Sequence, residues 1–93
     1  MKLIMLLALS LSYALALDSI LITGFDPFNG ASDNNSRVTG RAIVQELTKL
    51  YPTKEIKFCE LRTVYHKATQ EILDCAASMN KSPDLIISLG EAF

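Results

Sequence analysis

The chain of 93 residues has no tryptophan, only two cysteines and no cluster of basic residues. A surface that binds nucleic acid or an anionic membrane needs such a cluster, so the sequence predicts neither partner. The cysteines do not form a Cys-x-x-Cys pair or a metal-ligand spacing with the single histidine, so no metal site is predicted. No Gly-x-Gly-x-x-Gly or Walker A loop is present, and no nucleotide or other cofactor is predicted.

Charged residues are also missing from the stretch that follows Lys2, which runs from Leu3 to Leu17. A short basic start, an apolar run and the small-x-small end Ala14-Leu15-Ala16 form the pattern of a secretory signal peptide. The run is shorter than the roughly 20 residues of a membrane-spanning helix. We predict that residues 1–16 are a signal peptide cleaved after Ala16, so that the mature protein is secreted or periplasmic, with no membrane partner. An N-terminal anchor or a buried first helix is the alternative.

Residues 17–93 would form the mature chain. Loss of Lys2 leaves eight basic residues against ten acidic ones, a net charge of −2. A chain of this size can form one small domain with a marginal hydrophobic core. Cys59 and Cys75 can pair in an oxidising compartment or lie unpaired as small buried side chains, and the sequence leaves both options open.

Three short apolar runs alternate with two stretches of helical periodicity. The predicted elements, in chain order, are strand 19–24, helix 37–50, strand 55–64, helix 65–79 and strand 84–90. Connections that contain a helix join parallel strands, so this order predicts a mostly parallel sheet with helices packed on it. The fold class is therefore α/β, the β-α-β-α-β portion of an incomplete three-layer αβα architecture.

Each predicted helix has one apolar stripe. Ser36 is the predicted N-cap of the first helix. The stripe of the first helix consists of Ile43, Val44, Leu47 and Leu50. The stripe of the second helix consists of Tyr65, Ala68, Ile72, Cys75, Ala76 and Met79. The last strand is apolar enough for a central position, and ligands of open α/β sheets bind at the carboxyl ends of such strands.

The loop after the first strand reads Gly24-Phe25-Asp26-Pro27-Phe28-Asn29-Gly30. Gly24 allows a sharp turn and Pro27 stiffens the loop, which would present Phe25 and Phe28 at the upper edge of the sheet. Two aromatic rings there can hold a small flat ring, or they can plug the top of the core. The residues alone favour the plug. Asp26 is predicted to brace the loop by accepting hydrogen bonds from backbone N–H groups.

The segment from Ile20 to Phe28 closely resembles the opening strand and loop of pyroglutamyl-peptidase I, also called pyrrolidone-carboxylate peptidase. The loop of that family usually reads GF(D/E)PFGG, so Asn29 replaces a glycine. Asn34-Asn35-Ser36 keeps the first and last residues of the family's Asn-Pro-Ser. The segment Leu61-Arg62-Thr63-Val64-Tyr65 resembles its second strand, and Pro83 to Gly90 resembles its PDhhhxhG strand. The resemblance covers residues 17–93 and implies the N-terminal half of that domain.

The resemblance implies that Phe25 and Phe28 pack around the pyroglutamyl ring of an N-terminal pyroglutamyl peptide. Glu91 stands where many bacterial members have a glutamine that hydrogen-bonds the lactam. A carboxylate can accept the lactam N–H but cannot donate to its carbonyl. Substrate binding is therefore expected to involve Phe25, Phe28 and Glu91.

The family is a cysteine peptidase, in which a thiolate attacks the acyl carbon, a histidine relays the proton and a glutamate orients the histidine. The resemblance implies that all three residues fall beyond Phe93, so no catalytic residue is predicted here. Cys59, Cys75 and His66 match none of those positions. His66 is predicted to begin the second helix, and a Cys59–His66 dyad is the less favoured alternative.

Three functional hypotheses follow. The chain is a fragment of a secreted omega-peptidase that removes N-terminal pyroglutamate, inactive alone; or a secreted non-catalytic binding module; or a half-domain that needs a partner chain at its last strand. Secretion would depart from the family, which is typically cytoplasmic, and the oligomeric state stays open. Asn34-Asn35-Ser36 and Asn80-Lys81-Ser82 are also N-glycosylation sequons, which matter only in a eukaryotic secretory host.

Overall fold

A computed structural model describes residues 17–27, 32–64 and 66–90 of the chain. In chain order the elements are β1 (Ser19–Phe25), α1 (Asn35–Leu50), β2 (Glu55–Leu61), α2 (Ala68–Ser78) and β3 (Leu85–Ser88). The predicted α/β class and the predicted order of elements are confirmed. The predicted signal peptide lies outside the described residues. Within the described ranges, no helix is both long enough and apolar enough to cross a membrane.

The three strands are parallel and their order across the sheet is β2-β1-β3. β1 pairs with β2 from Ser19 opposite Glu55 to Phe25 opposite Leu61. It pairs with β3 from Ile20 opposite Leu85. Within the described part of the chain, the last strand, whose apolar sequence suggests a central position, pairs on one side only, with β1. The crossover through α2 returns past β1, so β1 is central and β3 lies at the edge.

The two faces of the sheet are covered by different helices. Successive residues of a strand point to opposite faces, so the apolar run of β1 supplies both. On the first face, Ile20 and Ile22 pack with Ile43 and Leu47 of α1. On the second face lie Leu21, Cys59, Leu61 and Met79, together with four partly buried residues of α2, namely Ala68, Ile72, Cys75 and Ala76. The helices therefore form two outer layers around the sheet.

α1 begins slightly earlier than predicted. Its N-cap is Asn34, with an extended backbone and a side chain that accepts the Ser36 N–H. The predicted N-cap Ser36 lies inside the helix. Ile43 and Leu47 pack on the sheet as predicted, but Leu50 is 65% exposed, because it ends the helix away from the apolar clusters. α1 lies close to β2 at Gly40, where a Cβ would be 2.5 Å from Cε1 of Phe58.

α2 begins later than predicted. The sequence pattern extended the helix back to residue 65, which lies outside the described residues. His66 has a φ of 66°, in the left-handed region, which is not helical for an L-residue. The helix therefore begins at Ala68, after Lys67, and the prediction that His66 starts it is wrong. β2 also ends earlier than predicted, at Leu61.

Cys59 and Cys75 form a disulfide that joins β2 to α2, with their Cα atoms 6.3 Å apart. Cys59 is buried and Cys75 is half-buried. Of the two options that the sequence left open, the pair is the one found. The disulfide therefore fastens α2 to the sheet across the second apolar face.

Candidate functional site

The candidate site is the edge of the sheet where the carboxyl ends of the three parallel strands meet. Phe25 is the last residue of β1 and lies at this edge. It is half-buried, and its side chain packs against the apolar cluster around Leu21 and Leu61. Phe28 and Glu91, the other two predicted substrate-binding residues, lie outside the described residues. Phe25 therefore contributes to the top of the core while part of its surface remains accessible.

A buried polar network holds the end of β1 against the start of α1. The Phe25 N–H donates to Ser36 Oγ at 2.9 Å, and the Ser36 hydroxyl donates to Asn34 Oδ1 at 2.6 Å. Asn34 and Ser36 are only 2% and 4% exposed. These are the two residues that the chain keeps from the family's Asn-Pro-Ser, so the structure assigns them a local role in placing the Phe25 backbone. The burial of Asn34 also makes its sequon a poor glycan acceptor.

Gly24 is required by the same contact. A Cβ at this position would lie 2.5 Å from the carbonyl oxygen of Ser36 and 2.7 Å from its carbonyl carbon. The neighbour is backbone, so it cannot rotate away. The sequence suggested that Gly24 permits a sharp turn, but β1 continues to Phe25, and close packing against α1 is the reason for a glycine here.

Asp26 braces the loop after β1 against the segment after β2. Its carboxylate Oδ1 accepts the N–H of Thr63 at 2.8 Å and the hydroxyl of Thr63 at 2.8 Å. Its own N–H donates to the carbonyl oxygen of Leu61 at 2.8 Å. The hydrogen bonds from the side chain and then the backbone of Thr63 hold the pKa of Asp26 below its ordinary value. The predicted bracing role of Asp26 is confirmed.

Ion pairs link the helices and strands that flank the candidate site. Arg37 lies 2.8 Å from the carboxylate of Asp33, whose pKa is lowered chiefly by the hydrogen bond from Arg37. Glu60 accepts from Arg37 at 3.3 Å, and Arg62 bonds Glu71 at 2.9 Å. Such partly exposed pairs contribute little stability individually. They do, however, connect α1 to β2 and the end of β2 to α2, on either side of the site.

A small hollow opens between the start of α1 and the chain that follows β3. Its volume is about 140 Å³, and it is lined by Asn35, Ser36, Thr39, Leu89 and Gly90. The hollow lies at the edge where the carboxyl ends of the parallel strands meet, the edge at which open α/β sheets bind ligands. Typical ligand pockets are about 300–1,000 Å³. The hollow therefore suits one small chemical group of a ligand.

The described residues do not supply a thiol peptidase centre. The sulfur of Cys59 is bonded to Cys75, so the alternative of a Cys59–His66 dyad is wrong. His66 is exposed and precedes α2. Within the described ranges, no three His, Cys, Asp or Glu side chains cluster in a way that could hold a metal ion.

Two supports of the site were not predicted from the sequence. The sequence pattern places Thr63 in the second strand and Ser36 at a helix cap. One feature of the sequence could have indicated the role of Thr63. It follows the second strand just as Asp26 follows the first, and the ends of two neighbouring parallel strands lie close together. Both residues act on the backbone around Phe25, and neither is a candidate for direct chemistry.

The chain is similar to several pyrrolidone-carboxylate peptidases. It is 40% identical to the one from Fusobacterium nucleatum, with 78% of this chain and 31% of that protein covered. The peptidases from Clostridium botulinum and Vibrio vulnificus are 37% and 33% identical, with 78% of this chain and 32% of each relative covered. No protein-family model and no solved structure matches the chain. The resemblance seen in the sequence is thus confirmed, and the chain spans about a third of the length of these relatives.

Proposed function

We propose, from its similarity to pyrrolidone-carboxylate peptidases, that this chain forms the substrate-binding edge of an enzyme that removes pyroglutamate from the N-terminus of peptides. The observation that carries the proposal is the 40% identity to such a peptidase over most of this chain. The position of Phe25 at the carboxyl edge of β1 supports it. The networks around Ser36 and Asp26 support it as well, because they hold the loop on which the aromatic pair stands.

In this proposal Phe25 and Phe28 hold the flat pyroglutamyl ring between them. Aromatic faces suit a planar lactam, because they bury its apolar carbons without demanding further hydrogen bonds. Glu91 accepts the lactam N–H through its carboxylate. The ring carbonyl then needs a donor other than Glu91, and this distinguishes the chain from relatives with a glutamine at that position.

We propose that the chain alone does not hydrolyse its ligand. A thiol peptidase needs a thiolate, and both cysteines of this chain are paired. The glutamate, cysteine and histidine of the reaction would belong to the part of the peptidases that this chain does not span. The thiolate of that cysteine would attack the carbonyl carbon of the peptide bond that follows the pyroglutamyl residue. The histidine would pass the proton taken from the thiol to the leaving amine.

Binding of pyroglutamyl-alanine to the full chain, followed by NMR chemical-shift titration, tests the proposal. Phe25→Ala removes apolar area that the phenyl face would bury against the lactam, and at about 25 cal/mol per Å² the loss of roughly 50 Å² should weaken binding about tenfold. Prolyl-alanine, whose ring lacks the carbonyl, should bind more weakly than pyroglutamyl-alanine. Leu50→Ala, at an exposed position far from the edge, is the matched control. Equal affinity of the wild type and Phe25→Ala would refute the assignment of Phe25.

We propose further that the mature protein is secreted or periplasmic. Stable disulfides form mainly in oxidising compartments, so the Cys59–Cys75 pair supports the leader pattern of residues 1–16. Expression of the full chain should release a protein whose first residue is Leu17, as measured by N-terminal sequencing. Recovery of the intact chain from the cytosol, with Met1 retained and both thiols reduced, would contradict this proposal.

A second candidate function is a secreted module that binds pyroglutamyl peptides without hydrolysing them. The pairing of both cysteines favours it, because no thiolate is then present in this chain. Mass spectrometry separates the candidates when a pyroglutamyl peptide is incubated with the full chain, alone and together with the part of the Fusobacterium nucleatum peptidase outside the matched segment. Release of pyroglutamate only by the mixture would favour the peptidase, whereas an intact peptide in both samples together with measurable binding by the chain would favour the binding module.

A further inference from the structure

Arg62 and Thr63 form the short segment that follows β2, and their backbone N–H groups are held from opposite sides. The Arg62 N–H donates to Glu71 Oε1 on α2 at 3.1 Å, and its Nε–H donates to Glu71 Oε2 at 2.9 Å. The Thr63 N–H donates to Asp26 Oδ1 at 2.8 Å. The segment therefore lies between two carboxylates, one on α2 and one in the loop after β1.

The pairing of β1 with β2 does not reach this segment. It ends at Leu61, which lies opposite Phe25, the last residue of β1. Arg62 and Thr63 are exposed, so apolar burial does not order them either. Holding an exposed residue in one backbone conformation costs entropy, which specific contacts must offset. The bonds to the two carboxylates are the contacts that do so.

α2 holds Glu71 in place for this contact. Cys75 lies one turn further along the helix, on the same side as Glu71, and its disulfide joins it to Cys59 of β2. The carbonyl oxygen of Glu71 lies 4.0 Å from the sulfur of Cys59. The side chain of Glu71 is 21% exposed, whereas that of Arg62 is 63% exposed. Glu71 is therefore the fixed member of the pair, and Arg62 is the member that it places.

The position of Glu71 in the first turn of α2 offers a simpler role. An acidic side chain there stabilises a helix through its dipole. Both hydrogen bonds that the structure describes for the Glu71 carboxylate, however, come from Arg62 rather than from N–H groups at the start of α2. The carboxylate is thus directed toward the end of β2, although its charge also favours the helix.

We propose that Glu71 is a positioning residue for the candidate site. By fixing Arg62, it directs the N–H and the hydroxyl of Thr63 onto Asp26. The Asp26 carboxylate in turn orders the end of the strand that carries Phe25. The inference rests on the proposed function, because Phe25 is the described residue assigned to the pyroglutamyl ring. Glu71 acts on the ligand only through this series of contacts.

Binding of pyroglutamyl-alanine to the full chain, followed by NMR, measures the effect on the site. Glu71→Ala should weaken binding roughly threefold to tenfold, as expected when a partly exposed ion pair and a charge-assisted hydrogen bond are lost. Glu71→Gln keeps one oxygen that can accept the Arg62 N–H, so its affinity should lie between those of Glu71→Ala and the wild type. Asp74→Ala is the matched control, because Asp74 is an exposed acid of the same helix whose described hydrogen bond comes from Gln70.

The titration of Asp26, followed by NMR through its carboxyl carbon, is a readout that helix stability alone does not move. The hydrogen bonds from Thr63 are the main reason why the pKa of Asp26 is low. The charges of Arg37 on α1 and of Arg62 lower it further. Removal of the negative charge of Glu71 would by itself lower this pKa still more. If Thr63 instead loses its position, the pKa of Asp26 should rise toward its ordinary value in Glu71→Ala and stay low in the control.

Arg62→Ala tests whether Glu71 acts through Arg62. This variant keeps the backbone N–H that donates to Glu71 and removes the guanidinium. The double variant should then bind the peptide like Glu71→Ala alone, rather than showing the product of the two losses.

Circular dichroism identifies any variant that fails to fold, and Glu71→Gln and Arg62→Ala then take the place of Glu71→Ala. A pKa of Asp26 that is unchanged or lower in Glu71→Ala overturns the inference. Equal affinity of Glu71→Ala and the wild type for the peptide also overturns it. If the pKa of Asp26 rises while the wild type itself does not bind the peptide, the result supports the positioning by Glu71 and counts against the proposed function.

Discussion

The Cys59–Cys75 disulfide is expected to supply a large share of the stability of this fold. It closes a loop with a sequence separation of 16 between β2 and α2. In the chain-entropy account, closing a loop of about 15 residues stabilises the folded state by about 3 kcal/mol at 25 °C. Small domains are stable by only about 5 kcal/mol or a little more. Loss of the disulfide should therefore remove roughly half of the free energy of unfolding.

Thermal unfolding followed by circular dichroism measures this effect in the wild type, with and without reductant, and in the double variant Cys59→Ala/Cys75→Ala. A change of 1 kcal/mol shifts the Tm of a domain of this size by about 4–8 °C, so reduction should lower the Tm by about 12–24 °C. The double variant should melt near the reduced wild type and should not respond to reductant.

Two results would refute this reasoning. Equal melting temperatures of the oxidised and reduced wild type would show that the closed loop adds no stability. Two alkylatable thiols in protein purified from an oxidising compartment would show that Cys59 and Cys75 do not pair. The Cα separation of 6.3 Å lies within the range that a disulfide can span, so neither result is expected.

Three further changes test the supports of the candidate site. Gly24→Ala places a Cβ 2.5 Å from the Ser36 carbonyl oxygen, so urea unfolding should show a loss of about 1–3 kcal/mol; an unchanged midpoint would contradict the close approach. Folding lowers the pKa of Asp26 below 3.8 through the hydrogen bonds from Thr63, so its contribution is present above about pH 4 and is lost as the pH falls through the folded-state pKa. The stabilities of the wild type and Asp26→Asn should therefore differ at pH 7 and converge in acid, and a constant difference would argue against the brace. Thr23→Val removes a fully buried hydroxyl for which the described structure offers no hydrogen-bond partner. This variant should gain about 1 kcal/mol in urea unfolding, whereas a loss would indicate a partner.

The order of the elements could be predicted because burial leaves a strong pattern in the sequence. Ile20 to Ile22 form a continuous apolar run, as expected for a strand covered on both faces. Element boundaries were harder to predict. Asn34 and Ser36 can both cap a helix, and only the tertiary contact with the Phe25 N–H explains why Ser36 lies within α1. The left-handed backbone of His66 cannot be predicted from the spacing of apolar residues, so the predicted start of the second helix was too early.

The candidate site was predictable in position and less so in its supports. The placement of Phe25 at the carboxyl edge follows from the strand that precedes it. The hydrogen bond from Thr63 to Asp26 joins residues separated by 37 positions, and no local pattern connects them. Pairing of Cys59 with Cys75 likewise depends on the distance between β2 and α2. The roles of Phe28 and Glu91 stay predictions, because both lie outside the described residues.

The strand order β2-β1-β3 also has a kinetic consequence. β1 is synthesised first but pairs with partners made much later, since Ser19 pairs with Glu55 and Ile20 with Leu85, which are 36 and 65 positions downstream (55 − 19 and 85 − 20). Closing such long loops before any pairing is gained slows folding. The sheet cannot be completed until Leu85 has left the ribosome. A nascent chain with this topology therefore keeps the apolar faces of β1 uncovered until β2 and the helices that pack on the sheet have been synthesised.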